Sequence, residues 1–336
     1  MCAEKKSNKK RNKVIDGLKG IAIICVVLGH AIVVNFPETY QTNFIFKVCY
    51  SFHMPLFMVL SSYIVGMKPD NYINNGWMKK RTIRQMVPNV LWTIISMIYY
   101  KRTNLFYYLF VDPFYWFLTC LWIYNLILFF GVKMKKNKPY FIIGMYFIVI
   151  ILNKLFKIPM LINLVLYYPF YFAGIYFYKI YSLRKKLLEK VSFVCAILYP
   201  VSFLIYSYTM DPSDAFININ ELLQLEKMLK LKCIFSGFNI VFSKYIVAVL
   251  GICFFTTIIR CLSKFHIGDG LCFLGQFTMT IYLLHMLIIR IVSKLMRHNS
   301  VIVSIIFEVI ISLACSIIIY KLTEKSKKMH LILWGA

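Results

Sequence analysis

Residues 15–35 read IDGLKGIAIICVVLGHAIVVN, a mostly apolar run that is long enough to cross a lipid bilayer as one helix. The run holds Lys19 near one end and His30 towards the other, and an ionisable side chain inside a span is costly enough to indicate a function. Their spacing of eleven positions predicts a shared helix face with about 16 Å of rise between them. The stretch therefore predicts one face that contacts both ends of a long ligand.

The composition indicates an integral membrane protein. Of the 336 residues, 60% are hydrophobic, and apolar runs continue from residue 15 to residue 320. The formal net charge of +26 alone could suggest nucleic acid, but Lys and Arg lie in short clusters between apolar runs, where they set topology. The ten cysteines lack the paired spacing of a zinc or redox motif. We expect an all-α, polytopic membrane protein that binds neither nucleic acid nor metal.

The pattern of apolar runs predicts about ten membrane helices within a single transmembrane domain, residues 15–320, flanked by basic tails at 1–14 and 321–336. The fifth helix has the weakest pattern. The predicted spans are 15–35, 48–67, 86–100, 114–132, 140–153, 160–178, 191–210, 245–260, 271–293 and 301–320.

The basic clusters alternate along the chain. Lys and Arg are abundant in both tails and in the connections after the second, fourth and sixth spans, and sparse in the connections after the first, third and fifth. Because cytoplasmic loops carry the excess of Lys and Arg, this alternation predicts that both termini are cytoplasmic. The one long outside connection, 211–244, includes DPSDAFININELLQLEKMLK, whose latter half has amphipathic helical spacing, which predicts a helix at the membrane interface.

This topology places four ionisable groups at one depth. His30 lies about five residues from the outer end of its span, and counting along the neighbouring spans brings His53, His285 and Glu308 to the same outer half. A buried histidine is often only a hydrogen-bonded core residue, and for His53 and His285 alone this interpretation weighs as much as a functional one. The shared depth favours a site.

A basic group is predicted at the opposite membrane face. Arg81 and Arg84 are three residues apart, so on a helix they share a face just before Pro88. Guanidinium groups pair well with phosphates, although ordinary topology-setting charge explains this loop alone more simply. Lys19 lies at the same end of its span. A basic patch below a layer of histidines suits a ligand with an anionic head and a reactive tail.

Six segments, in this order and spacing, resemble the acyltransferase 3 family, multi-span membrane enzymes similar to bacterial O-acetyltransferases of surface glycans. The resemblance covers nearly the whole chain. The segments are IDGLKGIAIICVVLGH at 15–30, FHMPLFMVLSS at 52–62, KKRTIRQMVP at 79–88, WFLTCLW at 116–122, FLGQFTMTIYLLH at 273–285 and YKLTEKS at 320–326.

The chain departs from the family pattern at three points. The family's first motif, an arginine followed by a histidine with ten residues between them, falls on Lys19 and His30. Lysine keeps the charge but lacks the bidentate fork of arginine. The SG ending of the second motif is Ser61–Ser62 here, and the proline that follows the terminal glutamate is Ser326. None of these changes removes a titratable group.

The resemblance implies an O-acyltransferase in a cell membrane, here a bacterial cytoplasmic membrane. It implies transfer of an acyl group, commonly acetyl, from cytoplasmic acyl-CoA to a hydroxyl of a glycan or lipid-linked sugar. Lys19, Arg81 and Arg84 then bind coenzyme A, and His30 is either the general base or the carrier of the acyl group. The remaining candidates for acceptor binding or support are His53, His285, Glu308, Asp16, Trp116 and Tyr282.

Two other classes of protein fit part of this pattern. A proton-coupled transporter or flippase of a polysaccharide precursor also places histidines and a carboxylate at one depth, above a basic mouth. The sequence lacks the internal repeat that such proteins usually have. A purely structural membrane protein would explain the aromatic content but not the ordered motifs.

Overall fold

A computed structural model describes residues 12–209, 232–263, 265 and 267–335. These residues form eleven α-helices, without a β-strand in the described ranges. The all-α, polytopic prediction is therefore confirmed. The helices are α1 (Lys13–Asn35), α2 (Phe44–Gly66), α3 (Asn75–Tyr100), α4 (Trp116–Lys133), α5 (Lys138–Phe156), α6 (Pro159–Thr209), α7 (Lys232–Leu262), α8 (Ile267–Leu274), α9 (Thr278–Leu295), α10 (Val301–Thr323) and α11 (Lys327–Trp334).

Helix α1 lies at the centre of the fold. It begins after Asn12, whose side-chain oxygen accepts hydrogen bonds from the backbone N–H groups of Val14 and Ile15 at 3.0 and 3.3 Å. It packs against α2, α7, α8, α9 and α10, which bury most of its residues. Lys19 and His30 both lie on this continuous helix, so the spacing argument from the sequence applies to it without a break.

Eight helices in the described ranges are long and apolar enough to cross a membrane. One of them, α6, holds two predicted spans, and its backbone leaves helical geometry between them only at Arg184, where φ is −128° and ψ is 39°. The predicted connection at 179–190 is therefore shorter than expected, because the chain leaves helical geometry only at Arg184 and helix continues on both sides of this kink. Helix α3 is not among these eight helices, but it contains the predicted third span, 86–100. The helix begins at Asn75, eleven residues before the predicted start.

The predicted ninth span, 271–293, is interrupted. Helix α8 ends at Leu274, and α9 begins only at Thr278. The turn between them brings the backbone of Gly275 against α1, so close that a Cβ atom there would lie 2.7 Å from the carbonyl carbon of Asp16. The apolar run hides this break because glycine is common within membrane helices and does not mark a helix end by itself.

Helices extend into both of the predicted tails. Residues 321–323 complete α10, and Lys327–Trp334 form α11, which packs against α3. Helix α1 begins at Lys13. The amphipathic helix predicted within 211–230 lies outside the described residues.

Contacts between connections agree with the predicted alternation of sides. Each pair joins a connection to another connection or to the end of a predicted span that the charge pattern places on the same face of the bundle, and the membrane side of each face stays a prediction. On the predicted cytoplasmic face, the pairs are Lys138–Asp70 at 2.7 Å, Lys13–Asp269 at 2.9 Å and Arg260–Glu189 at 4.0 Å. On the other face, Lys47 donates to the carbonyl of Ser207 at 3.0 Å and the ammonium of Lys294 lies 5.6 Å from the ring centroid of Tyr99.

Candidate active site

A cavity of about 520 Å³ opens between α1, α2, α3, α4, α6, α9 and the carboxyl-terminal helix. Lys19, Arg81 and Arg84, which the charge pattern predicts at one membrane face, all line it, and no carboxylate of the described ranges does. Three formal positive charges in one cavity favour an anionic ligand. We refer to this space as the basic cavity. Its other lining residues are Ile23, Met54, Phe57, Leu60, Ser61, Ile64, Val65, Gln85, Phe117, Leu118, Leu121, Asn125, Tyr171, Thr278, Met279, Tyr282, Trp334 and Gly335.

Helix α3 positions the two arginines. Its first turn is capped by Asn74, whose side-chain oxygen accepts the backbone N–H of Trp77 at 3.0 Å. One turn further, the guanidinium of Arg81 lies 5.5 Å from the ring centroid of Trp77, and Arg84 follows on the same helix face. Arg81 is half-buried and Arg84 exposed, so the pair extends from the interior of the cavity to its mouth.

A buried polar chain forms another part of the cavity wall. Tyr171 donates to the side-chain oxygen of Asn125 at 2.7 Å, and the amide of Asn125 donates to Gln85 at 3.1 Å. All three residues line the basic cavity. Because each buried polar group has a partner, the chain fixes α3, α4 and α6 relative to one another.

The carboxyl-terminal helix closes the cavity on a further side. The indole of Trp334 is 2% exposed, stacks on Trp92 with 5.4 Å between ring centroids and donates to the hydroxyl of Thr323 at 2.8 Å. The indole of Trp92 in turn donates to the carbonyl of Leu333 at 2.9 Å. Sequence reasoning missed Trp334 because its segment is basic and short, although a tryptophan there is itself a signal of docking.

Three histidines from three helices lie near one another. The rings of His30 on α1 and His285 on α9 are 5.0 Å apart between centroids. Tyr50 on α2 joins the third histidine to this pair, since its ring centroid lies 6.5 Å from that of His30 and 4.7 Å from that of His53. The sequence analysis predicted the three histidines at one depth but did not single out Tyr50. We call these four residues the histidine cluster.

Backbone carbonyls fix the tautomers of two of the histidines. The Nδ1 atom of His285 lies 2.7 Å from the carbonyl oxygen of Tyr282 and 3.1 Å from that of Ile281, and Nδ1 of His53 lies 2.6 Å from the carbonyl of Cys49. Since a carbonyl only accepts, each neutral ring carries its proton on Nδ1 and a lone pair on Nε2. The Nε2 atom of His285 is buried and has no hydrogen-bond partner among the described residues. It is therefore available to accept a proton or a hydrogen bond.

Tyr282 connects the basic cavity to the histidine cluster. Its side chain lines the cavity, and its ring centroid lies 5.9 Å from that of His285. The backbone N–H of Phe117 donates to its phenol oxygen at 3.3 Å, which ties α4 to α9 at this point. A continuous set of residues thus leads from the three cationic side chains to His30.

Three of the predicted residues lie elsewhere. Glu308 is buried and accepts hydrogen bonds from Ser304 and, through both oxygens at 2.8 and 2.9 Å, from the amide of Asn35. It therefore braces the end of α1 beyond His30, and its hydrogen-bond partners are not histidines. Asp16 is buried in the first turn of α1. Trp116 stacks on Tyr167 with 5.1 Å between centroids.

The chain matches a known protein family over most of its length. The family described as an acyltransferase domain, acyltransferase 3, matches residues 12–321. The chain is also similar to nodulation protein NolL of Sinorhizobium fredii, with 31% identity over 88 residues. That segment covers 24% of this chain and 23% of the relative, so it spans less than a quarter of either protein. No solved structure matches.

Proposed function

The chain belongs to the acyltransferase 3 family, and on that premise we propose that it transfers an acyl group, acetyl in the first instance, from acyl-CoA. The proposed acceptor is a hydroxyl group of a cell-surface glycan or lipid-linked sugar. One observation carries the proposal: three cationic side chains share a cavity with Tyr282. The ring of Tyr282 contacts that of His285, and the ring of His285 contacts that of His30.

The donor is proposed to enter from the cytoplasmic side. Lys19, Arg81 and Arg84 bind the phosphate groups of coenzyme A by charge-assisted hydrogen bonds. The flexible arm then follows the apolar wall past Phe57 and Met54 and presents the thioester near Tyr282. The rise of about 16 Å between Lys19 and His30 along α1 suits a ligand held at one end and reacting at the other.

The proposed chemistry is a single displacement. The lone pair of His30 removes the proton of the acceptor hydroxyl while the hydroxyl oxygen attacks the carbonyl carbon of the thioester. The tetrahedral intermediate then expels the thiolate of coenzyme A, which takes the proton back from the imidazolium. In the alternative route, His30 first carries the acyl group on a ring nitrogen and a second displacement moves it to the hydroxyl.

His285 is proposed as the positioning residue for His30. Its fixed tautomer directs an unpartnered Nε2 lone pair into the interior, and its ring is the neighbour of His30 at 5.0 Å. When this lone pair accepts the N–H of His30, directly or through one water, the other nitrogen of His30 faces the substrate as a base. The same contact stabilises the imidazolium that forms after proton transfer.

The direct test is release of free thiol from acetyl-CoA by the purified protein in lipid nanodiscs, together with mass spectrometry of glycans from cells with and without the protein. We expect thiol release and a mass difference of one acyl group. His298→Ala is the matched control for His30→Ala, because His298 is exposed and lies outside both the basic cavity and the histidine cluster. Proton-coupled uptake of a glycan precursor without thiol release would show a carrier instead.

A further inference from the structure

A second cavity, of about 110 Å³, lies towards the other end of α2. The residues of α2 that line it run from Phe46 to Pro55, whereas those that line the basic cavity run from Met54 to Val65. Helices α6 and α7 supply its other walls. The two runs overlap at Met54 and Pro55, so the cavities use successive parts of one helix, and His53 falls near the end of the run that lines the second cavity. We call the second space the aromatic cavity.

Tyr50 links the aromatic cavity to the histidine cluster. It lines the cavity, and its ring contacts those of His53 and His30 at 4.7 and 6.5 Å between centroids. The basic cavity approaches the same cluster through Tyr282 and His285. A group in the aromatic cavity would therefore approach His30 past Tyr50, whereas the donor approaches it past Tyr282 and His285, and an acceptor needs such a separate approach.

The charges of the aromatic cavity favour an anion. Lys47 and Lys244 both line it and are half-buried, and among the described residues its lining holds no carboxylate. The ammonium of Lys47 donates to the carbonyl of Ser207 at 3.0 Å. This bond fixes the ammonium in place, and because an ammonium has three donors, others are left for a ligand. A lysine acts on phosphate as a compact point charge.

The walls of the aromatic cavity suit a sugar. Tyr50 stacks on Phe46 at 4.0 Å between centroids, and Phe170 contacts Tyr245 at 5.3 Å. Tyr167, which stacks on Trp116, adds a further phenol. Ring faces cover the apolar faces of a ligand while phenol groups at their edges hydrogen-bond to it, and such mixed linings are typical of small-ligand sites.

We propose that the aromatic cavity binds the acceptor of the proposed reaction and that this acceptor is a sugar carrying a phosphate group, held by Lys47 and Lys244. The proposal rests on the proposed function for the acceptor role alone. Two sources can supply a phosphate to this cavity, a lipid-linked sugar phosphate and the headgroup of a phospholipid, and the experiment separates them.

The test uses the full chain in phosphatidylcholine nanodiscs and measures binding of two probes by calorimetry. One probe is a short-chain polyprenyl phosphosugar, and the other is the same sugar on an uncharged alkyl chain. We expect the phosphosugar to bind at least tenfold more tightly, and Lys47→Met and Lys244→Met each to weaken it by at least tenfold. Lys47→Arg, which keeps the charge, should retain most of the binding. Lys294→Met is the matched control, a lysine of the same face outside both cavities.

Acetyl-CoA binding and thiol release are followed in the same samples. Unchanged acetyl-CoA binding shows that each variant is folded. Equal binding of the charged and uncharged probes, or an equal loss in Lys294→Met, would overturn the phosphate site. Displacement of the phosphosugar by added phosphatidylglycerol would assign the cavity to a lipid headgroup and overturn the acceptor role. Intact phosphosugar binding without any thiol release would instead remove the acyltransfer proposal and leave this site standing.

Discussion

The carboxyl-terminal helix provides the sharpest structural prediction, because the donor cavity depends on a segment that cannot be stable alone. Helix α11 has eight residues, and helices this short are unstable in isolation. Trp334 anchors it through burial, stacking on Trp92 and a hydrogen bond to Thr323. Truncating a buried tryptophan to alanine costs about 3–5 kcal/mol. We expect Trp334→Ala to release α11 from the bundle.

Hydrogen exchange and donor binding measure this effect separately. In Trp334→Ala, the backbone amides of Lys327–Trp334 should lose their protection, and acetyl-CoA affinity should fall at least tenfold, or about 1.4 kcal/mol, because Trp334 and Gly335 line the cavity. Trp334→Phe keeps an aromatic ring but loses the hydrogen bond to Thr323, so a loss of about 1–3 kcal/mol in docking is expected. Unchanged protection in Trp334→Ala would refute the docking argument. Released α11 with unchanged affinity would remove it from the donor site.

Three further predictions concern the frame around the site. Gly275→Ala should lower the thermal unfolding temperature in detergent, at a cost of about 1–3 kcal/mol, because the new Cβ would meet the carbonyl carbon of Asp16 at 2.7 Å. Gly144→Ala meets nothing within 4 Å and should be neutral or stabilising; equal loss in both variants would contradict this account. Glu308→Ala should destabilise the fold by about 1–3 kcal/mol, because the donors of Asn35 and Ser304 lose their acceptor. Glu308→Gln should lose less stability, and the same thermal unfolding measurement checks both variants. A reporter fused after Lys138 should lie in the cytoplasm, and an outside signal would reverse the predicted topology.

Much of the fold could be predicted from the sequence because two simple signals, the length of apolar runs and the distribution of Lys and Arg, determine most of it. Apolar length predicted the helices, and the alternation of Lys and Arg sorted their connections onto two faces. From those two inputs alone, Lys19, Arg81 and Arg84 were expected at one end of the bundle, where they now share a cavity. The histidines followed by counting residues inward along helices of known rise.

The remaining features depend on contacts that the sequence does not display. The break at Gly275 arises from the close approach of Asp16, which lies more than 250 residues away in the chain. Trp334 joins the cavity wall only because Trp92 offers a surface to stack on. Depth along a helix also does not determine a partner. The sequence predicts Glu308 at the depth of the histidines, but its carboxylate bonds to Asn35, because that amide occupies the position next to it at the end of α1.

The central claim is that α1 holds the donor at Lys19 and reacts at His30, and a pair of variants tests it most directly. Lys19→Ala should raise the KM for acetyl-CoA by roughly ten- to a hundredfold, the loss of about 1–3 kcal/mol from one charged contact, with kcat little changed. Lys19→Arg should keep activity. His30→Ala should lower kcat at least about a hundredfold with donor binding retained. If His30→Ala instead lost donor binding while keeping its turnover at saturation, the assignment of an anchoring end and a reactive end would be contradicted.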